Sequence, residues 1–244
     1  VPGWDSSYDW KGWIPFEELP RGFNPEKGFF ATANQKVVGS DYPYLIANSW
    51  EPPYRAKRLN HLLEEAIDSG GISLEQMKHI QIDQISLQAL EVLPYLRRLE
   101  GRNESEHKAL MLLKEWTGEL SRDSRAAVVY EVWLHHFERK LFRDDLRDPL
   151  FERMNGRFHP LLVKNVLEMP EQGRIWCDDV RSSPQESCKE LMLEALGEAL
   201  EFLKNELGEN ENDWTWGQLH QTQYPHNPFS QVPYLKFLFH RSIE

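Results

Sequence analysis

The hydrophobic positions change rhythm near residue 54. From Tyr54 to Asp68, the residues Ala56, Leu59, Leu62, Leu63, Ala66 and Ile67 fall on one face of an α-helical period. Asp68-Ser69-Gly70-Gly71 supplies the stop. Ser73 with Gln76 forms a capping box for a second helix, whose apolar side holds Met77, Ile80 and Ile85. A third helix is expected over 84–99 through Leu87, Leu90 and Leu93, with Pro94 kinking or splitting it. Leu110, Leu113 and Trp116 share a stripe over 104–117. Ser124 caps a long helix bearing Val128, Val129, Val132, Trp133, Phe137 and Leu141. Ser183-Pro184-Gln185-Glu186 matches a capping box with proline at the first helical position. It precedes a strong helical period through Leu191, Ala195, Leu196, Leu200, Leu203 and Leu207.

Residues 1–53 follow no such rhythm. Trp4, Trp10, Trp13 and Trp50 sit among many Gly and Pro, and Pro15, Pro20, Pro25, Pro43, Pro52 and Pro53 break any long helix. Gly28-Phe29-Phe30-Ala31-Thr32-Ala33 reads as a short strand, and Lys36-Val37-Val38 as a second extended piece. The expected fold is therefore mainly α with a short-strand and loop N-terminal segment. The expected division is residues 1–53 as that segment and 54–244 as a helical domain. From Trp214 onward, aromatics, His and Pro return. No fixed-period repeat supports a solenoid.

Composition narrows the function classes. The 244 residues suffice for one large or two small domains. The formal net charge of −11, with no Lys or Arg run, argues against a nucleic-acid partner, because phosphate binding needs clustered cations. No apolar stretch approaches the roughly 20 residues that span a bilayer. Cys177 and Cys188 are too few for a disulfide framework. One bridge and two free thiols both fit their spacing.

Most candidate chemistry reduces to ordinary structural roles. His135 and His136 are adjacent on a helix and point apart, unlike a metalloprotease pair with Glu between ligands four residues apart. Asp144-Asp145 read as helix-flanking acids and Asp178-Asp179 as a solvated turn. His220, His226 and His240 lie among aromatics with no recognisable nucleophile motif, so structural histidines are the plainer reading.

One ordered set does not reduce this way. Asp9-Trp10-Lys11-Gly12-Trp13-Ile14-Pro15-Phe16-Glu17-Glu18-Leu19-Pro20 is followed by Asn24-Pro25 and Gly28-Phe29-Phe30-Ala31-Thr32-Ala33-Asn34-Gln35. Asp41-Tyr42-Pro43, Trp50 and Tyr54-Arg55-Ala56-Lys57-Arg58-Leu59 come next. The set resembles the β-chain of penicillin acylases and their relatives that cleave acyl-homoserine lactones or cephalosporin side chains. Trp216-Gly217-Gln218-Leu219-His220 and Pro225-His226-Asn227-Pro228 are similar to a later WG-x-x-H region of that family.

The resemblance implies the helical part of an N-terminal-nucleophile hydrolase of the αββα class. In that family a precursor is cut to expose an N-terminal Ser, whose free amine acts as base while its hydroxyl attacks a linear amide. An Asn side chain and a backbone N–H bind the resulting oxyanion. Asn34 falls on that Asn, and Arg55 on the arginine that holds it by hydrogen bonding. A neutral amide donor suits developing negative charge, and a planar guanidinium suits the holding duty. Val1 is not Ser, Thr or Cys, so the nucleophile is expected on other polypeptide and the chain is expected to be inactive alone.

The resemblance also implies partners: the α-chain and remaining β-chain segments of the same precursor, and a small N-acyl amide as substrate. It implies a bacterial or archaeal protein that is secreted, periplasmic or at the cell surface. It implies no cofactor and no metal ligand in these residues. The family's calcium site draws mainly on acidic residues upstream, and the position after Asp41-Tyr42-Pro43 is apolar Leu45 or Ile46. Two other classes stay open. One is a non-catalytic helical module whose aromatic ends bind protein or glycan. The other is a hydrolase using His220 or His226.

Overall fold

The computed structural model describes residues 2–154, 156, 158 and 161–243. The chain forms two compact units, Val1–Gln81 and Ile82–Glu244.

In the first unit, 2–53 is irregular apart from 3-10 turns at Ser6–Tyr8 and Phe16–Glu18. Neither 28–33 nor 36–38 is a strand. Backbone groups there have no ladder partner among the described residues of this unit, and extended chain without a ladder is not a sheet. Helix α1 (Tyr54–Asp68) follows Pro52-Pro53 and buries Tyr54, Ala56, Leu63 and Ala66. Its end folds back as expected at the glycines. The Ser69 N–H donates to Glu65 O and the Gly71 N–H to Ala66 O, with Gly70 and Gly71 left-handed at φ 108° and 118°. Helix α2 (Leu74–Gln81) carries the expected capping box. The Ser73 N–H donates to Gln76 Oε1 at 2.7 Å and the Gln76 N–H to Ser73 Oγ at 3.2 Å. This helix buries none of its residues, and Met77 is exposed.

The second unit is a helical bundle of α3 (Leu87–Leu96), α4 (Glu104–Glu115), α5 (Arg125–Phe142), α6 (Asp148–Met154), α7 (Leu161–Glu168), α8 (Pro170–Trp176), α9 (Cys188–Leu207), α10 (Trp216–Leu219) and α11 (Pro233–Phe239). Pro94 does not split α3; it lies in the last turn, so its ring and missing N–H affect only the Leu90 carbonyl one turn back. The buried stripe of α3 is Ala89, Val92, Leu93 and Leu96; of the expected Leu87, Leu90 and Leu93, only Leu93 belongs to it. Ser124 caps α5 by accepting from the Ala127 N–H at 3.1 Å, and every apolar residue expected to face the core from α5 is buried.

Helices α5 and α9 pack together to form the centre. Trp133 stacks on Phe137 at 5.2 Å, and its indole N–H donates to Met192 O at 3.0 Å. Lys140 bridges to Glu194 and Glu198 of α9 at 3.3 and 2.8 Å. Among the described residues, Glu106 is the one charged side chain fully inside the core, 1% exposed. Arg102 grips its carboxylate from Nη2 at 2.7 Å and also donates to Leu193 O at 2.8 Å, so both charges are satisfied while α4 is tied to α9. Gly197 gives this pair its room, since a Cβ there would lie 3.2 Å from Arg102 Nη2.

The cap of α9 is Ser187 with Glu190, four residues beyond the expected Ser183 box. Glu186 is engaged elsewhere: its carboxylate accepts from the Asp179 N–H at 3.2 Å and from the Ser182 hydroxyl. Cys177 and Cys188 are joined as a disulfide, which resolves their state. After α10, a two-stranded sheet that periodicity did not predict pairs β1 (Thr222–Pro225) with β2 (His240–Ile243) in antiparallel register, with α11 between the strands. Four-residue strands containing Pro and His carry too little alternation to be read from sequence.

Candidate functional site

Asn34 sits at a corner of the loop segment with φ 63°, the left-handed region that Asn tolerates better than other side-chain-bearing residues. Two bonds build the corner. The Glu51 N–H donates to Asn34 O at 2.9 Å, and the Ala33 N–H donates to Gln35 Oε1 at 2.7 Å. The first bond anchors the corner four residues before Arg55, the second residue of α1.

Arg55 Nη2 donates to Ala33 O at 3.1 Å and to Asn34 Oδ1 at 3.2 Å. A guanidinium only donates, so the amide atom facing it is the oxygen, and Nδ2 is turned away. Nδ2 has no acceptor among the described residues, and Asn34 is exposed. Donation into Oδ1 also polarises the amide, which makes the outward N–H groups better donors. Arg55 pairs with no carboxylate among the described residues, so its charge is directed at this corner. The arrangement is an outward-facing neutral donor whose amide oxygen is engaged by Arg55.

The surrounding loop is pinned by polar contacts rather than by a core. Tyr42 donates its hydroxyl to Glu18 O at 2.8 Å, and Tyr44 donates to the Glu18 carboxylate. Lys27 reaches Asn60 of α1 at 2.9 Å and lies 4.5 Å from the Phe29 ring centroid. Trp10 and Trp13 are more than nine-tenths exposed.

The remaining sequence candidates have structural partners. Trp216 stacks on His220 at 4.6 Å, and Gln218 completes a capping box with Thr215. The buried Gly217 N–H donates to Arg122 O at 2.8 Å, where a Cβ would lie 2.7 Å from Arg122 Cγ. The WG-x-x-H stretch thus docks the chain on the loop before α5, and any side chain at its second position would force Arg122 to shift. His226 stacks on Phe229 at 4.8 Å, and the His240 side chain lies outside the described residues. His136 contacts Glu198 at 3.3 Å. Asp144 accepts from the Val180 N–H at 2.9 Å, after a helix end rather than at a helix start. Asp179 is forked by Arg181, whose hydrogen bonds hold its carboxyl down to about 2.

Among the described residues, no three His, Cys, Asp or Glu side chains converge as metal ligands. The side chains of Leu45 and Ile46 are exposed hydrocarbon and carry no oxygen ligand for a hard cation such as calcium.

One cluster escaped the sequence reading. Burial pushes Glu131 up to about 7. Burial, and then the Glu131 charge, push Glu138 up to about 7 as well. Burial, then the neighbouring His136 and Arg139 charges, push His135 down. Glu131 and His135 line a cavity of about 360 Å³ with Phe202 and Trp216. The available signal was Glu131 itself, the one charge in the run from Ala126 to Leu134.

Residues 1–243 match the family model described as penicillin amidase. The chain is 27% identical to an acyl-homoserine lactone acylase of Pseudomonas aeruginosa, over 96% of this chain and 29% of that protein. It is 28% identical to a penicillin acylase 2 proenzyme of Pseudomonas sp. strain SE83, again over 96% of this chain and 29% of the relative. A thermostable penicillin G acylase from Alcaligenes faecalis shares the fold with a TM-score of 0.63 at 16% identity, over 92% of this chain and 44% of that one. The chain spans about 29% of the length of these curated relatives. No described helix is long and apolar enough to cross a membrane.

Proposed function

From the premise that this chain belongs to the penicillin amidase family, we propose that the protein carrying it hydrolyses a linear N-acyl amide through an acyl-enzyme. Asn34 Nδ2 donates to the oxygen of the tetrahedral intermediate, where negative charge develops. Arg55 is a positioning residue that fixes Oδ1 and so aims Nδ2. The observation that carries this reading is the pair of Arg55 bonds to Ala33 O and Asn34 Oδ1, which leaves the amide N–H groups outward. A donor already aimed needs no reorganisation as the charge forms, which is why such groups stabilise the transition state more than the ground state.

The attacking hydroxyl and its base are assigned to no residue of this chain. They belong, on this reading, to polypeptide outside these 244 residues, as do the acyl pocket and any calcium site. The same polypeptide covers the N-terminal aromatics. Trp4, Trp10, Trp13 and Phe23 are each at least 90% exposed, a larger apolar display than an unpartnered surface ordinarily carries. The substrates named for the relatives, an acyl-homoserine lactone and a penicillin, are the first to assay. The Cys177–Cys188 bridge favours an oxidising compartment, the periplasm or the cell exterior.

The test is Asn34→Ala in the full-length protein, assayed on a phenylacetyl-amide chromogen and on an acyl-homoserine lactone. Losing one oxyanion donor should lower kcat by about 10²–10³-fold with little change in KM. A kcat within about tenfold of the parent overturns the role of Asn34.

A further inference from the structure

The second unit contains a cavity of about 440 Å³ whose floor is Leu99, Val166, Leu167 and Met192. Its size is that of a small-molecule site. Two cations, Arg98 and Lys189, stand on its lining. Neither is in an ion pair with a carboxylate among the described residues, although the chain as a whole carries a net charge of −11. Acids of helices α3 and α9 are otherwise engaged. Glu91 pairs with Lys164 at 3.1 Å, and Glu190 closes the cap of α9 on Ser187. The Arg98 guanidinium lies 5.8 Å from the Tyr95 ring centroid, which keeps it beside the opening. The Cys177–Cys188 bridge fixes the first residue of α9 next to Lys189.

We propose that this cavity binds a medium-chain aliphatic carboxylate, with the tail on the Leu99–Val166–Leu167–Met192 floor and the head between Arg98 and Lys189. An apolar floor alone selects no head group. A neutral ligand would gain nothing from the two exposed, hydrated cations, and a small anion would leave the floor wetted. A carboxylate on a hydrocarbon tail satisfies both. The site does not depend on the amidase reading, although the acid released from an N-acyl amide belongs to this ligand class.

The experiment is calorimetry of the full-length protein carrying Asn34→Ala with octanoate, 1-octanol and butanoate. That background removes the proposed oxyanion donor and leaves this cavity intact. Octanoate should bind at least tenfold more tightly than octanol. It should bind on the order of 10²-fold more tightly than butanoate, from roughly fourfold per buried methylene. Arg98→Gln with Lys189→Gln should weaken octanoate at least tenfold and leave octanol unchanged. The Met192 methyl resonance, identified by its loss in Met192→Leu, should shift on octanoate addition without any charge substitution. Equal binding of octanoate and octanol overturns the proposal. So does an octanoate affinity insensitive to the double substitution, or a Met192 methyl unmoved at saturating octanoate. The amidase reading fails separately, on kcat of Asn34→Ala against the parent.

Discussion

In the unit from Val1 to Gln81, Trp10, Trp13 and Phe23 stand in solvent, whereas Tyr130, Trp133 and Phe137 of the other unit are fully buried. The same residue classes serve different ends. The helical unit gains its order from an aromatic seam between α5 and α9, closed by a buried ion pair and a disulfide. The N-terminal unit positions its candidate donor with a few polar bonds onto Ala33, Asn34 and Glu18. A core gives stiffness to everything it contains. A guanidinium gives stiffness to one side chain that must stay exposed to work. The comparison predicts that changes in the helical unit move stability, while changes at Asn34 and Arg55 move turnover.

The largest stability effect should come from Arg102→Ala. It leaves the carboxylate of Glu106 buried without its countercharge, at a cost of about 3 kcal/mol. Burial alone raises the Glu106 pKa, but the Arg102 hydrogen bonds outweigh it and the net shift is downward. The pair's contribution is therefore present above the ordinary carboxylate pKa and fades as pH falls through the depressed value. Thermal unfolding of the variant should differ most from the parent near neutrality and least in acid. An equal Tm at neutral pH would break the comparison.

Next in size is the bridge. Cys177→Ser with Cys188→Ser opens a short loop and should lower stability by about 2–3 kcal/mol with kcat preserved. Thiol-blocking mass spectrometry of the native protein should find both cysteines unreactive until reduction.

The smallest effect is Glu131→Gln. With its folded pKa raised to about 7, Glu131 holds more protons in the folded than in the unfolded state between about 4.5 and 7. Stability therefore declines as pH rises through that window. The amide removes the penalty, which would be about 3 kcal/mol unscreened; partial exposure to solvent cuts the gain expected at pH 8 to about 1–2 kcal/mol. The two should be alike at pH 4. A gain at both pH values would contradict the assigned cause.

Local signals along the chain were legible where one element sufficed to express them. The Ser73–Gln76 box, the Ser124 cap and the apolar stripe of α5 follow from neighbours three or four residues apart. Legibility failed where a distant partner decides. The 28–33 segment has strand composition but no ladder, and the Ser183 box yields to Ser187 because Glu186 is drawn to Asp179 and Ser182. The burial of Glu131 is not marked by the helical period, since it depends on what packs around α5. Asn34 and Arg55 stand 21 residues apart. No periodicity links them, and only the ordered Trp, Pro, Gly and Asn set pointed to both.

The central claim is that Arg55 acts through Asn34, and a double-mutant cycle on kcat in the full-length protein tests it directly. Asn34→Ala should cost about 10²–10³-fold, and Arg55→Ala less, on the order of tenfold, with Asn34 present. With Asn34 already removed, Arg55→Ala should cost almost nothing further. Losses that simply multiply would mean that Arg55 and Asn34 act independently, and would contradict the account.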